Sequence, residues 1–252
     1  MTELHLDDRV ALVGSGALGF GLTDPYDCHV YLVDGVGELA LADVGAGRGA
    51  SAILDNVRRC GFDPLDIRHI VLTHAHGDHG GGAARMRRLL PHARLYASSH
   101  TAEVLEAGDE AGASLDVAKA PGFYPAEYTL ERCPVDVRLD EGETIVVGDL
   151  HLEALETPGH SDGHLSLLLE NQGRRTLLSA DAVFFGGKIQ LQAIHDCRLD
   201  AQISSLRKVR GLGVDVLLPG HGPVALSGGG DHVELANEVL DRLLIPDQLI
   251  PA

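Results

Sequence analysis

The chain has 252 residues, 44% of them hydrophobic, and a formal charge of -17 at pH 7 from 37 acidic and 20 basic side chains. That length and apolar content suffice for a substantial core, and no composition shift separates independently folding pieces, so residues 1–252 are read as one domain. The acidic balance repels phosphate backbones and anionic lipid, which argues against nucleic-acid and membrane partners and for a small-molecule substrate.

The start, MTELHLDDRV, carries early acids and no basic flank before an apolar core, and no apolar run reaches membrane-spanning length, so a cytoplasmic protein is expected. Short segments rich in Val, Leu and Ile follow as predicted strands: Val10–Val13, Cys28–Val33, Leu39–Asp43, His69–Thr73 and Leu95–Ser98. Predicted helices lie between them over Gly49–Cys60, Gly81–Leu90 and His100–Glu106, where apolar residues recur at three-to-four spacing. Ala107–Tyr128, with its Gly, Pro and acidic residues, has no assignable pattern and reads as a long loop. Strands are predicted again at Glu143–Val147, His151–Glu156, Leu165–Glu170, Thr176–Ser179 and Val214–Leu218, with helices at Asp200–Val209 and Asp231–Leu243. The close spacing of strands from Glu143 to Glu170 implies antiparallel hairpins, so two mixed β-sheets flanked by helices are expected. Cys28, Cys60, Cys133 and Cys197 form no CxxC pair and read as reduced, mostly buried thiols.

Gly14-Ser-Gly16-Ala-Leu-Gly19 fits the GxGxxG spacing of dinucleotide sites. That motif must open a helix whose N-terminus receives a pyrophosphate, yet Phe20-Gly-Leu-Thr-Asp-Pro25 contains helix breakers, so a glycine-rich turn is expected. The informative segment is Thr73-His74-Ala75-His76-Gly77-Asp78-His79-Gly80-Gly81-Gly82, which places four metal-competent side chains within six residues at a strand end. In an extended stretch His74 and His76 share a face and can grip one ion, while Asp78 and His79 turn with the chain toward a second. Three more candidates lie at later strand ends beside turn-forming residues: His160 in Thr157-Pro-Gly-His, Asp181 in Leu178-Ser-Ala-Asp, and His221 in Leu217-Leu-Pro-Gly-His-Gly.

This ordered set, HxHxDH, a GH turn, a strand-terminal Asp and a late PGHG, resembles the metallo-β-lactamase superfamily from Asp43 to His221. The resemblance implies an αβ/βα four-layer sandwich of two mixed β-sheets flanked by helices. It implies that His74, His76 and His160 hold one ion, that Asp78, His79 and His221 hold another, and that Asp181 bridges them. Imidazole and carboxylate ligands without thiolate suit two Zn²⁺, with Mn²⁺ or Fe²⁺ as alternatives. By the same resemblance Asp43 supports a histidine ligand, and His164 packs or hydrogen-bonds rather than binding metal.

A pair of ions about 3.5–4 Å apart can share a hydroxide nucleophile at neutral pH, with Asp78 orienting it or passing a proton to the leaving group. Similarity is closer to the glyoxalase-II-like and lactonase branches than to true β-lactamases, so hydrolysis of a small ester, thioester or lactone is expected. The alternatives are an iron-dependent persulfide dioxygenase and a small-phosphodiester hydrolase; flavodiiron domains rank lower, since they usually carry an acid where His76 stands. His5, His29, His69, His92, His100, His151, His195 and His232 carry no motif and read as ordinary histidines. Phe123, Tyr124, Phe184 and Phe185 fall in segments that can line a pocket, with Phe184 read as core and Lys188 as a surface lysine. The helix pattern Val233–Leu244 and the tail Ile245–Ala252 offer contacts for a homodimer, although packing on the chain's own sheet is simpler.

Overall fold

A computed structural model describes residues 4–250; the first three residues of the N-terminal start and the last two of the tail lie outside the described residues. The chain divides into two compact units, Met1–Leu139 with Val146–Asp149, and Asp140–Ile145 with Leu150–Ala252. Among the described residues, no helix is long and apolar enough to cross a membrane.

The first unit is built on a six-stranded sheet in the order β1 (Val10–Gly14), β2 (Val30–Asp34), β3 (Leu39–Ala42), β4 (Ile67–Val71), β5 (Arg94–Ser98) and β6 (Val137–Leu139). The first three strands pair antiparallel and the rest parallel. Every residue of β3, Leu-Ala-Leu-Ala, is buried, as expected of a central strand covered on both faces. Helices α1 (Ala50–Arg59), α2 (Ala83–Leu89), α3 (Ser99–Ala107) and α4 (Leu115–Lys119) flank it. Along α1, Ala50, Ile53, Leu54 and Val57 make one buried stripe, and the buried Asn56 amide donates to Val13 O of β1 at 2.9 Å. Ser98 caps α3 through the Thr101 N–H, and Gly108, left-handed at φ 61°, ends it.

The second unit holds four strands and the first half of a fifth in a sheet of the order β11 (Val216–Pro219), β10 (Arg174–Ala180), β9 (Leu165–Asn171), β8 (Leu150–Glu156), β7 (Thr144–Val147). Strands β8, β9 and β10 form antiparallel ladders, and β11 joins β10 in parallel. Helices α5 (Leu199–Arg210) and α6 (Gly229–Asp241) cover it, packing Leu206, Val209, Val233 and Ala236 with Leu177 and Leu217. Buried Asn237 donates to Leu206 O at 3.0 Å and so ties α6 to α5. Both sheets are mixed and flanked by helices, as the sequence implied.

Four local differences have physical causes. Strand β4 stops at Val71, not Thr73, because the Thr73 N–H leaves the ladder for Asp43 Oδ1 at 2.8 Å. Strand β10 starts at Arg174, earlier than Thr176, because Gln172 and Gly173, at φ 52° and 79°, form a tight turn that pairs Arg174 with Asn171. Residues 107–128 are not a bare loop but contain α4, and bury Leu115, Tyr124 and Tyr128. Strand β6 has three residues, too few for an alternation to register. The Gly14–Gly19 segment is a turn, packed so tightly that a Cβ on Gly16 would lie 2.4 Å from Asp27 O.

Candidate metal centre

In the first unit, the candidate ligands occupy the loop between β4 and α2. His74, His76 and His79 are buried, and Asp78 is partly exposed. The His74 ring centroid lies 4.6 Å from that of His76 and 4.1 Å from that of His79, while Asp78 Oδ2 is 3.8 Å from His79 Nε2. The loop folds so tightly because it packs on glycine: a Cβ on Gly82 would meet Gly45 O, Gly47 N and Val44 O, each at 2.8 Å.

Asp43, at the end of β3 with a strained φ of 62°, organises this loop. Its Oδ1 accepts the Thr73 N–H, and its Oδ2 accepts the Thr73 hydroxyl at 2.8 Å and faces His79 Nδ1 at 2.8 Å. The carboxylate makes His79 Nδ1 the protonated nitrogen, which leaves Nε2 with its lone pair. Because the Thr73 hydroxyl spends its proton on Asp43, it accepts from His74 Nδ1 at 3.0 Å, and His74 likewise presents Nε2. Cys28 Sγ, Asp43 and His79 also offer ligand atoms within 4.8 Å of one another. That group does not suit a metal: burial pushes the Cys28 thiol far up, it donates to His29 O at 3.3 Å, and His79 Nδ1 is already held by Asp43.

In the second unit, Asp181 follows β10 after Ala180, which is left-handed at φ 44°. Asp181 Oδ2 stands 3.4 Å from His160 Nε2 and 3.6 Å from His221 Nε2, with all three side chains buried. His160 Nδ1 lies 3.0 Å from Gln190 O, a carbonyl that can only accept, so Nδ1 carries the proton here too. His164 Nε2 accepts the Asp181 backbone N–H at 3.1 Å, which puts its proton on Nδ1, 2.9 Å from Thr157 Oγ1. His164 thus holds the backbone of Asp181, a hydrogen-bonding task. The His160 turn is fitted to α5: a Cβ on Gly159 would lie 2.3 Å from Gln202 Cα.

These donors fit a metal. His74, His79 and His160 each have Nδ1 engaged by a fixed partner and Nε2 turned the other way, the usual arrangement around a bound ion. Two ligand atoms on one tetrahedral Zn²⁺ at about 2.0–2.1 Å are themselves roughly 3.3 Å apart, and the Asp181 contacts at 3.4 and 3.6 Å are close to that spacing.

Other residues singled out by sequence have ordinary surroundings. Phe184 is fully buried, and Phe185 is exposed and packs on His232, with centroids 4.1 Å apart. His69 lies 3.1 Å from the Tyr96 hydroxyl and 3.3 Å from Glu38. A groove of about 270 Å³ beside the loop is lined by Arg48, Arg85, Arg88, Glu127 and Glu131, but Arg48 already pairs with Asp24 and Arg88 with Glu131. Sequence reasoning assigned no role to Thr73 or Thr157, and it did not link Tyr124 to the loop, although Tyr124 donates to Asp78 Oδ1 at 3.0 Å. Burial, reinforced by the Asp78 charge, keeps that phenol protonated by pushing its pKa well up.

The model of the metallo-β-lactamase superfamily matches residues 23–221. Among curated proteins, the chain is 29% identical to the acyl-coenzyme A thioesterase MBLAC2 of Bos taurus, over 60% of this chain and 54% of that protein. It is 30% identical to a hydroxyacylglutathione hydrolase of Rhodopseudomonas palustris, over 65% of this chain and 49% of that protein. The chain spans about half the length of these curated relatives. Among solved structures, the metallo-β-lactamase family protein TTHA1429 of Thermus thermophilus superposes with a TM-score of 0.70 at 25% identity, covering 95% of this chain and 82% of that one. BJP-1, a subclass B3 metallo-β-lactamase of Bradyrhizobium japonicum, gives a TM-score of 0.71 at 24% identity, covering 95% and 90%, a likeness of fold.

Proposed function

The chain belongs to the metallo-β-lactamase superfamily, and from that premise we propose that it is a dinuclear metal-dependent hydrolase of a small thioester, ester or lactone. The observation that carries the proposal is Asp181, whose one oxygen faces two imidazole nitrogens at 3.4 and 3.6 Å, as a carboxylate shared by two ions would. In this reading His74, His76 and His160 would hold one ion, Asp78, His79 and His221 would hold the other, and Asp181 would serve both. Imidazole and carboxylate ligands suit Zn²⁺, with Mn²⁺ or Fe²⁺ as alternatives. When bound, such ions lower the pKa of water to roughly 7 and stabilise a developing oxyanion.

The chain's own residues supply the rest. Asp43, the Thr73 hydroxyl and Gln190 O fix the tautomers of His79, His74 and His160, so that Nε2 is the nitrogen each offers as a ligand. His164 holds Asp181 through its backbone N–H. Asp78 is partly exposed, unlike the buried histidines, which suits it to carry a proton to a leaving thiolate or alkoxide. Thioesters head the substrate class because two relatives are named for thioester hydrolysis, an acyl-coenzyme A thioesterase and a hydroxyacylglutathione hydrolase.

The test is a panel of acyl thioesters, esters, lactones and phosphodiesters, assayed before chelation, after chelation and after Zn²⁺ is restored. Thioester, ester or lactone turnover that disappears and returns with the metal is expected. His76→Ala should abolish most of it while leaving the melting curve of the metal-free protein nearly unchanged, since His76 sits on a loop. Turnover indifferent to chelation, or confined to phosphodiesters, would contradict the proposal.

A further inference from the structure

Two tyrosines from the 107–128 segment are seated on the His74–Gly82 loop. The Tyr124 hydroxyl donates to Asp78 Oδ1 at 3.0 Å, and its ring stacks on Tyr128, with centroids 5.1 Å apart and planes at 15°. The Tyr128 hydroxyl in turn lies 3.0 Å from both Ala46 O and Gly77 O. Tyr124 is 4% exposed and Tyr128 9%, so the hydroxyl that meets Asp78 belongs to a ring fixed by packing.

The seat exists because the loop carries no side chains there. A Cβ on Gly77 would lie 3.2 Å from Tyr124 Cζ and 3.2 Å from Tyr128 Cε1. A Cβ on Gly81 would lie 2.1 Å from the Tyr128 hydroxyl oxygen. The glycines between and after the histidines therefore do more than turn the chain: they admit a tyrosine pair.

We propose that Tyr124 is a positioning residue that fixes Asp78 for the ion it shares with His79. The inference rests on the hydrolase reading above and adds to it. A carboxylate rotates about its Cβ–Cγ bond, and a partly exposed one does so readily. A single rigid donor on Oδ1 stops that rotation and leaves Oδ2 on the side of His79, 3.8 Å from its Nε2. The Tyr124 hydroxyl bonds Asp78, which the reading above assigns to one ion, so the effect of losing it should fall on that ion of the pair. Supporting contacts of this kind change metal affinity by about 10–100-fold.

The experiment is competition with a chromogenic chelator, resolving both Zn²⁺ dissociation constants for the wild type, Tyr124→Phe, Asp78→Ala and the double variant, with the melting temperature of each metal-free protein. Phe keeps the stacked ring, so the apo protein should melt within a few degrees of wild type. One ion should bind about 10–100-fold more weakly and the other unchanged, and Tyr124→Phe should add nothing in the Asp78→Ala background. Gly77→Ala, which crowds the tyrosine ring without removing its hydroxyl, should weaken the same ion and serves if Tyr124→Phe folds poorly. Two unchanged constants, or equal weakening of both ions with a lowered apo melting temperature, would overturn the inference and leave the hydrolase reading standing. A wild-type protein that holds no ion would overturn the hydrolase reading itself, and this inference with it.

Discussion

His79 has Asp43 on one ring nitrogen and Asp78 near the other, and its value as a ligand depends on which nitrogen holds the proton. Asp43→Asn keeps the shape but can turn an amide N–H toward Nδ1, and the proton then moves to Nε2, the atom needed for metal. The expected result is a fall of about 10–100-fold in affinity for one Zn²⁺, measured by chelator competition, with little change in far-ultraviolet circular dichroism. At this scale much of the candidate site was legible. His74, His76, Asp78 and His79 stand out because chemistry demands those side chains at that spacing, and Asp43 follows from the same ordered motifs. Tyr124 stood out only as an aromatic that can line a pocket; its link to Asp78 was not legible, since 46 residues separate the two and no periodicity connects a tyrosine in an irregular segment to a carboxylate in a loop. Thr73 was in view yet had no assigned role, because its part depends on where its hydroxyl proton goes, which only the position of Asp43 decides.

At the scale of elements, the residue just before the short β6 and the helix α2 are tied by one ion pair. Arg87 of α2 meets Asp136 through two hydrogen bonds, of 2.7 and 2.9 Å, and Asp136 also accepts the Leu95 N–H of β5 at 2.9 Å. The Arg87 hydrogen bond is the main reason the Asp136 carboxyl is held below its ordinary range. A lowered carboxyl pKa contributes stability above the unfolded value, near 3.9, and loses it as pH falls through the folded value. Asp136→Asn should therefore lower the melting temperature modestly at pH 5–7, and the gap from wild type should close below about pH 4. A gap independent of pH would mean that the carboxylate charge is not what matters. The long elements were legible from their periodicity: α1, α5 and α6 lie within two residues of the predicted spans. Errors collect where side chains or turns override the pattern, as at Thr73, drawn out of β4 by Asp43, and at α4, a helix of five residues too short to show a period.

On the scale of the whole molecule, the candidate ligands fall in two compact units, with His74, His76, Asp78 and His79 in one and His160, Asp181 and His221 in the other. The division follows from the order of the motifs, since each ligand group ends a strand in its own sheet. The two mixed sheets were legible because their hydrophobic runs and hairpins repeat in both parts of the sequence. An ion that binds only the folded chain stabilises it by about 4.1 kcal/mol when its concentration is 1,000 times its dissociation constant. The central claim, that these ligands together hold a pair of ions, is therefore tested most directly by elemental analysis of the purified protein, with its melting temperature before and after metal removal. The account predicts close to two zinc ions per chain and a fall on the order of 10 °C when they are stripped, reversed by Zn²⁺. One iron per chain with oxygen consumed on a persulfide, or no bound metal and no shift in melting, would contradict it.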